Sequence, residues 1–500
     1  MSPALSLEPF GPDAIRLALA EAWADDIGGR VALARAIEGI EGVRDAIVTE
    51  GHALALLDGS VASSSVCARL GACLSSARRA PLGPAREHLV ETHYDGADLD
   101  GLAAELGLAR DDVIALHTGA PLVVSFLGFL PGFAYLRGLP PALADVPRRA
   151  SPRPRVPPRS VAIAGGMSAV YPAASPGGWQ LLGHATGFDP LERALSPGDR
   201  VQFVAVDAHT SVAGADETAA LDGALVVTRA VGPALVVDGA PRRRLALGTP
   251  PGGPLVHRLA RRANASVGNP ADAALVERYG RLTLSLRAGD PPRALADEHG
   301  RVTTLRPGHT RTFEPPRGAR VGYVAVEGGI DVPEVLGGRG TLLAVARGGL
   351  CGRALRTGDR LPLGSAGSGP AQLTDEELLL RTGEPDAPLL LHVGPDLLDL
   401  ERASTRLATT RFRIDPASDR TGVRLVPEHR LSFETRAART SPMRVGAVQA
   451  PPSGELVVLG PDHPVTGGYP VVGILPPTAL EALFARPVGS FVCLRLLTDR

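Results

Sequence analysis

The sequence contains no lysine, and all 52 of its basic side chains are arginine. This absence excludes a P-loop lysine, a Schiff-base lysine, a pyridoxal phosphate anchor and a lysine that could carry biotin. Any phosphate or carboxylate bound by the chain must therefore meet arginine, a helix end or a partner chain. Arginine suits this task because its planar guanidinium can pair with two oxygens of such an anion.

Cysteine is scarce and long apolar runs are missing. The four cysteines are Cys67, Cys73, Cys351 and Cys493. They form no CxxC pair and have no histidine pair at ligand spacing, so we expect reduced, packed thiols, a cytoplasmic protein and no metal site. The most apolar stretch, 121–136, is interrupted by glycine and proline, and residues 1–10 lack a signal-peptide pattern. We therefore expect no membrane partner.

The charge and the turn-forming residues narrow the class of protein further. The formal net charge is −1 for 500 residues, which gives no reason to expect nucleic-acid binding. Glycine (59) and proline (46) are frequent, and this indicates many turns and a mainly β architecture. A chain of this length exceeds one ordinary core, so we expect two or three domains.

The local patterns predict a small α+β unit followed by β-rich modules. Residues 1–95 read as a ferredoxin-like domain with this order of elements: strand 13–18, helix 29–39, strands 46–49 and 53–57, helix 66–77 and strand 88–93. Short apolar runs between Gly/Pro turns from Leu122 onward predict a β-barrel or a β-sandwich within 96–215, after a helix at 98–106. A composition change at 207–222 marks a boundary, and 222–500 is a second β-rich module. Within it we expect helices at 255–265 and 271–279 and a flexible loop at 363–372.

An internal repeat connects the two β-rich modules. The segment Gly177–Gly183 (GGWQLLG) matches Gly467–Gly473 (GGYPVVG), with similar motifs before and after each copy. The flanking pairs are SPRPRV at 151–156 with SPMRV at 441–445, and PGDRV at 197–201 with PVGSF at 487–491. We interpret this as two copies of one β-rich fold. The aromatic after the two glycines either fills a tight barrel corner or lines a ligand pocket.

Several motifs resemble a known pair of families. Phe129–Leu136, Ser160–Gly165 and Ser175–Trp179 closely resemble the B subunit of 5-oxoprolinase, also described as allophanate hydrolase subunit 1 or a kinase inhibitor. The later half resembles the C subunit of that enzyme, the biotin-dependent carboxyltransferase-like family, in these segments: Val267–Pro270, Ala325–Gly329, Ser418–Gly422, Gly446–Pro452 and Thr466–Pro470. The resemblance covers nearly the whole chain and implies a natural B–C fusion.

The resemblance also implies a fold and a reaction. The expected fold is mainly β with α+β: a small N-terminal ferredoxin-like unit followed by two tandem cyclophilin-like β-barrel modules. The expected activity is the opening of 5-oxo-L-proline to L-glutamate at the expense of ATP, with Mg²⁺, together with a separate protein similar to the 5-oxoprolinase A subunit. Two alternatives are a urea amidolyase-type carboxyltransferase that uses a biotin carrier in trans, and a non-enzymatic regulatory module that resembles kinase inhibitors.

The later half departs from the C-subunit pattern at its start. Where that family has T-x-Q-D-x-G-R, this chain reads Leu235–Pro241 (LVVDGAP) and keeps only Asp238. The missing arginine has three candidates to replace it in space: Arg242, Arg243 and Arg244. The aspartate after the family's S-G-P-M stretch is also absent, and Gly253–Val256 stands there.

Opening a lactam with ATP requires charge neutralisation at the phosphoryl group and a base for the attacking water. The catalytic candidates are Asp238, His117 and Arg420; His117 could instead cap a helix C-terminus. The candidates for an anion clamp on substrate are Arg153, Arg155, Arg420 and Arg424, with solvated loop charge or a structural bridge to an aspartate such as Asp419 as the alternative. Asp419 is also a candidate for substrate binding. The candidates for a pocket are Ser175, Trp179 and Gln180, with Gln449 and Tyr469 as approximate counterparts in the second copy.

Overall fold

The computed structural model describes residues 7–77, 84–207, 223–365, 387–436 and 440–497. Most of the predicted boundary at 207–222 and of the predicted loop at 363–372 lies outside these ranges. The expected fold class is confirmed, because the chain is mainly β and contains two closed barrels of seven strands each. Within the described ranges, no helix combines the length and the apolar character needed to cross a membrane.

The N-terminal unit is a four-stranded antiparallel sheet of order β1-β2-β4-β3 with two helices. Its elements are β1 (Leu7–Pro9), β2 (Ala14–Ala18), α1 (Ile27–Glu38), β3 (Val43–Val48), β4 (His52–Leu57) and α2 (Ser63–Ala77). The predicted last strand of this unit, 88–93, is wrong as part of the sheet. Its residues pair in parallel over six positions with a strand of the first barrel, while β1 occupies the sheet edge.

Barrel 1 has the strand order β10-β7-β6-β13-β5-β12-β9. Its strands are β5 (Glu87–His93), β6 (Leu122–Leu127), β7 (Ala134–Arg137), β9 (Ser160–Ala164), β10 (Met167–Val170), β12 (Gln180–Ala185) and β13 (Arg200–Ala205). Its helices are α3 (Leu99–Leu106), α4 (Arg110–Thr118) and α5 (Pro141–Ala144). Two further strands, β8 (Arg153–Val156) and β11 (Ser175–Gly177), form a separate two-stranded ribbon.

Residues 225–361 form two further antiparallel sheets, of four and five strands, rather than part of a barrel. The first sheet contains β14 (Leu225–Val231), β17 (Arg281–Leu286), β20 (Thr310–Phe313) and β22 (Arg360–Leu361). The second contains β15 (Ala234–Val237), β16 (Leu275–Arg278), β18 (Arg293–Asp297), β19 (Val302–Leu305) and β21 (Gly322–Val326), and α6 (His257–Ser266) packs against it. The predicted helix 271–279 is wrong. Its residues form β16, which is buried throughout and hydrogen-bonded on both sides, and this pairing outweighs local helix propensity.

Barrel 2 has the order β23-β30-β27-β28-β25-β24-β31. Its strands are β23 (Leu389–Val393), β24 (Arg411–Ile414), β25 (Gly422–Pro427), β27 (Ala447–Gln449), β28 (Leu456–Leu459), β30 (Val471–Ile474) and β31 (Phe491–Leu496). Its helices are α7 (Leu400–Thr409) and α8 (Pro477–Ala485). A second ribbon pairs β26 (Ser441–Pro442) with β29 (Thr466–Gly467).

The repeat predicted from the sequence is confirmed by the topology. Both barrels connect their seven strands in the same order, and each contains one parallel pair at the same place, β5 with β13 and β23 with β31. Each also has its two-stranded ribbon at the GG[WY] motif.

The N-terminal sheet joins the two halves of the chain. Its face opposite the helices packs on barrel 2, where Phe10, Ile47 and Leu54 share one buried cluster with Val465 and Ile474. Polar contacts support this packing. The guanidinium of Arg16, 1% exposed, lies 2.8 Å from a Glu8 carboxylate oxygen and 2.9 Å from one of Asp396 in barrel 2. Arg444 of barrel 2 donates to the carbonyl of Phe10 at 2.8 Å.

Candidate functional site

The β6–β7 turn of barrel 1 contacts the second ribbon of barrel 2. The backbone N–H of Phe129 donates to Thr466 Oγ1 at 2.7 Å, and Tyr135 Oη lies 3.5 Å from the same oxygen. A Cβ at Gly128 would lie 2.5 Å from Thr466 Oγ1 and Cγ2, so the approach requires glycine there. Phe129 itself has φ of 60°, a conformation that side-chain-bearing residues rarely adopt and that is typical of functional sites.

A loop from the middle sheets completes this junction. Leu342 and Val345 pack into the aromatic cluster of barrel 1 formed around Phe133, Tyr135 and Trp179. The loop carries two more residues with positive φ, Leu336 at 54° and Ala346 at 50°. Three parts of the chain therefore meet at this end of barrel 1.

An arginine cluster lies beside the junction and is organised by Asp98. Arg149 Nη1 and Arg153 Nη2 each donate to Asp98 Oδ1 at 2.7 Å, and the backbone N–H of Leu181 donates to Oδ2 at 2.7 Å. Burial opposes ionisation of Asp98, but these donors outweigh it and hold the pKa of its carboxyl below the usual range. Two guanidinium groups share one carboxylate, so the cluster keeps a net positive charge. The sequence analysis missed Asp98, whose only signal is its position at the start of α3.

Buried polar atoms without a hydrogen-bond partner lie in the same cluster. Among the described residues they include Arg153 Nη1, Arg149 Nε and Ser175 Oγ. Ser175 is 8% exposed, and Arg153 faces Gly177 across the β8–β11 ladder. Unsatisfied groups of this kind cost free energy unless a ligand or water supplies the partner.

Arg148 connects the cluster to barrel 2. It is exposed, and its guanidinium charge opposes the rise in pKa that burial causes at the hydroxyls of Tyr135 and Tyr171. Burial nevertheless raises the pKa of Tyr171 to about 12. A Cβ at Gly468 would lie 3.8 Å from Arg148 Nη1, which places this cation against the GGY motif of barrel 2.

The aromatic residues of the two repeats are placed differently. Trp179 is 6% exposed and meets Phe133 and Tyr135 edge to face at 5.7 and 5.8 Å, so it fills the end of barrel 1 and is not free to stack on a substrate ring. Tyr469, its counterpart, is 47% exposed. Gln180 contacts the carbonyl of Pro147 at 3.4 Å.

Gln449 is not a counterpart of Gln180. In barrel 2, Gln449 pairs with Val471 on the neighbouring strand, and the equivalent pair in barrel 1 is Ala162 with Leu181. Gln449 is buried, and its amide nitrogen lies 3.4 Å from Met443 Sδ.

Three of the predicted substrate-binding residues are exposed or make local contacts and do not join the arginine cluster. Arg155 is exposed, and among the described residues it does not share the contact of Arg153 with Asp98. Arg424 forms an exposed ion pair with Glu455 at 2.7 Å. Asp419 accepts the backbone N–H groups of Thr421 and Gly422 at 2.8 and 3.2 Å and so shapes its own turn.

Arg420 is a buried cation held by internal contacts, and its catalytic role stays a prediction. It lies 2.6 Å from Glu277 and 2.7 Å from Asp462, and it donates to the carbonyl of Gly253 at 2.7 Å. Its side chain is 6% exposed and Glu277 is fully buried. Every strong contact of Arg420 is internal in this arrangement.

Asp238 is likewise held by internal contacts, and its role as a base stays a prediction. It is 4% exposed, and its two oxygens accept the N–H groups of Arg339 and Gly340 at 2.7 and 3.0 Å. Arg242 donates to the carbonyl of Gly340 at 2.6 Å and is the arginine beside Asp238. The other two candidates for that position, Arg243 and Arg244, are exposed. Together Asp238 and Arg242 hold a glycine-rich loop.

His117 is buried in the wall of barrel 1, where both ring nitrogens have partners, and its role as a base stays a prediction. Its Nδ1 bonds with Tyr94 Oη at 2.7 Å and its Nε2 with Ser168 Oγ at 2.9 Å. Burial lowers the pKa of His117 to about 3, so the ring is neutral at physiological pH.

Comparison with known families agrees with the two-half organisation. Residues 5–197 match the family described as carboxyltransferase domain, subdomain C and D. Residues 247–495 match carboxyltransferase domain, subdomain A and B. The two matches follow one another along the chain and correspond to the halves that carry barrel 1 and barrel 2.

Individual relatives are similar to one half or to the whole. The 5-oxoprolinase B subunit of Escherichia coli O157:H7 is 51% identical over 114 residues, which is 22% of this chain and 52% of that protein. The 5-oxoprolinase C subunit of Escherichia coli K12 is 31% identical over 187 residues, 37% of this chain and 59% of that protein. The chain thus spans about half the length of the curated relatives it matches.

One solved structure is similar over almost the full length. The crystal structure of TTHA0988 is 30% identical, with a TM-score of 0.75, and the match covers 97% of this chain and 99% of that one. The chain therefore belongs to the carboxyltransferase-domain family and carries the C–D and A–B subdomains in tandem.

Proposed function

We propose that this chain is a fused B–C component of an ATP-dependent 5-oxoprolinase, which opens 5-oxo-L-proline to L-glutamate together with a separate A subunit. Support comes from the similarity of each half to one subunit of that enzyme. The observation that carries the proposal is the junction of the two halves, where Thr466 of the C-like half binds the backbone of Phe129 in the B-like half. Two modules joined in this way act as one body on one small substrate.

The overall reaction consumes 5-oxo-L-proline, ATP and two waters and yields glutamate, ADP and phosphate. It needs positive charge near anionic oxygens and a base near the attacking water. This chain offers arginine for the carboxylate oxygens of the substrate, at Arg148 and Arg153. None of the predicted catalytic groups, Asp238, His117 and Arg420, is accessible, so we propose that the A subunit supplies the base. ATP and its Mg²⁺ stay a prediction for the assembled enzyme, and we assign no side chain of this chain to them.

A second candidate is carboxyl transfer, because both matching family models are described as carboxyltransferase subdomains. The chain has no lysine to carry biotin, so this function would require a biotin carrier in trans. The carboxyl group would then pass from the carrier to an amide-type acceptor. The two candidates differ in whether ATP-dependent ring opening or carboxybiotin consumption is observed.

The test is ADP release dependent on 5-oxo-L-proline, measured with the purified chain only, with only the A subunit, and with the two proteins mixed. We expect ADP and glutamate in equal amounts only in the mixture. A control substrate, 2-pyrrolidone, has the same lactam ring without the carboxylate. A mixture that forms a stable complex yet releases neither product would refute the proposal, and carboxybiotin consumption would then be assayed.

A further inference from the structure

We infer that Arg148, Arg153 and Ser175 of barrel 1, closed over by the Gly467–Gly468 backbone of barrel 2, form a binding site for the carboxylate of a small substrate. The identity of that substrate as 5-oxo-L-proline rests on the proposed function. The existence of an anion site rests only on the contacts described below.

The first argument is the charge of the cluster. Asp98 is the carboxylate that both Arg149 and Arg153 contact, so one positive charge between them stays uncompensated. Arg148 adds another, and neither a hydrogen bond nor an ion pair is found for it among the described residues. Arg153 is mostly buried, and burying a cation without a full set of acceptors is costly. A bound anion removes that cost.

The second argument is the set of free donors. Arg153 Nη1 and Ser175 Oγ are both buried and have no partner in the described part of the chain. They belong to the two paired strands of one ribbon, in which Arg153 faces Gly177. A Cβ at Gly177 would come within 2.4 Å of Tyr171 Oη, so only glycine fits beside that hydroxyl. A guanidinium N–H and a hydroxyl are donors of the kind that bind carboxylate oxygens.

The third argument is that barrel 2 closes the site. Gly468 lies against Arg148, and Thr466, two residues earlier, holds the β6–β7 turn of barrel 1. The anion would therefore bind between the two repeats. We favour a carboxylate over a phosphate because the two buried donors without a partner, Arg153 Nη1 and Ser175 Oγ, equal in number the two oxygens of a carboxylate, whereas a phosphate presents three.

The test introduces Arg148→Gln or Ser175→Ala into the chain and assembles each variant with the A subunit. Each substitution removes a carboxylate donor and should raise the KM for 5-oxo-L-proline about tenfold while kcat changes little. Arg148 is exposed and Ser175 has no partner in the described ranges, so neither variant removes a contact of the fold. The matched control is Arg200→Gln on β13, whose side chain is 57% exposed and 3.9 Å from Glu87.

The outcomes separate the site from the function. Glutamate formation with an unchanged KM in both variants would overturn the site and leave the proposed function standing. If the wild-type mixture forms no glutamate, the chain alone, with Trp23→Phe so that Trp179 is its one fluorescent indole, is titrated with 5-oxo-L-proline, 2-pyrrolidone and inorganic phosphate while tryptophan emission is followed. A response that requires the carboxylate and weakens in Arg148→Gln supports the site. No response, or tighter binding of phosphate, overturns it.

Discussion

At the scale of single residues, burial distinguishes the arginines that hold the fold from those that can bind a ligand. Arg420 sits between Glu277 and Asp462 and is almost inaccessible, whereas Arg148 is exposed and has no ion pair among the described residues. The motif around Arg420 was visible in the sequence, but its role was not. Burial and the distant partner Glu277 depend on the fold, and neither follows from the neighbouring residues.

Replacing Arg420 by Met should destabilise the protein by roughly 3–5 kcal/mol, because two buried carboxylates lose their counter-charge. Arg424→Met, in the same segment, removes an exposed ion pair with Glu455 and should cost less than about 1 kcal/mol. The free energy of unfolding in urea checks both values. If Arg420→Met is as stable as the wild type and loses only activity, the prediction is wrong and Arg420 acts in catalysis.

At the scale of elements, the junction of the two barrels depends on a glycine. Gly128→Ala places a methyl group 2.5 Å from Thr466 Oγ1 and Cγ2, so the β6–β7 turn must move away from the second ribbon. We expect a loss of stability of about 1–3 kcal/mol and a higher KM for 5-oxo-L-proline.

The matched control for this junction is Gly101→Ala on α3, where a Cβ meets no atom within 4 Å. Helix propensity predicts that it is neutral or slightly stabilising. Thermal unfolding and steady-state kinetics measure both variants. If the two alanine variants behave alike, the junction does not require a close approach at Gly128.

Sequence patterns located most of the helices and the repeat, but not the pairing of strands. The helices predicted at 29–39, 66–77 and 255–265 are found within a few residues, since an apolar stripe is a local property. Strand β16 was predicted as a helix, and the strand at 88–93 was assigned to the wrong sheet. Both errors have the same physical origin, because partners distant in the sequence decide which edge a strand joins.

At the scale of the whole molecule, the N-terminal sheet ties the two halves together. We expect residues 1–215 and 216–500, produced as two chains in one cell, to associate one to one and to co-elute in size-exclusion chromatography. The buried cluster around Phe10 and Ile474 and the contact of Arg16 with Asp396 provide the interface. Asp396→Ala should weaken the association, because it leaves buried Arg16 with one carboxylate fewer. Halves that elute separately at micromolar concentration would contradict this interface.

Two buried histidines make the fold sensitive to acid. Burial lowers the pKa of His117 to about 3 and that of His463 to about 4. The unfolded chain therefore binds protons more readily, and stability present above pH 6.5 is lost as the pH falls. At pH 5 each histidine contributes a loss of about 2 kcal/mol.

Urea midpoints measured at pH 7.5 and pH 5 test this acid sensitivity. His117→Gln should reduce the difference between the two midpoints, and the control His309→Gln, at an exposed position, should reduce it less. An equal difference in both variants would show that His117 binds protons equally in the folded and the unfolded chain.

The most direct test of the account measures glutamate formed from 5-oxo-L-proline and ATP in the presence of the A subunit. It compares the intact chain, each half alone, and the two halves together. The account predicts glutamate with the intact chain and with the recombined halves, and none with either half alone. Full activity from one half together with the A subunit would contradict the claim that the two barrels act on the substrate as a single body.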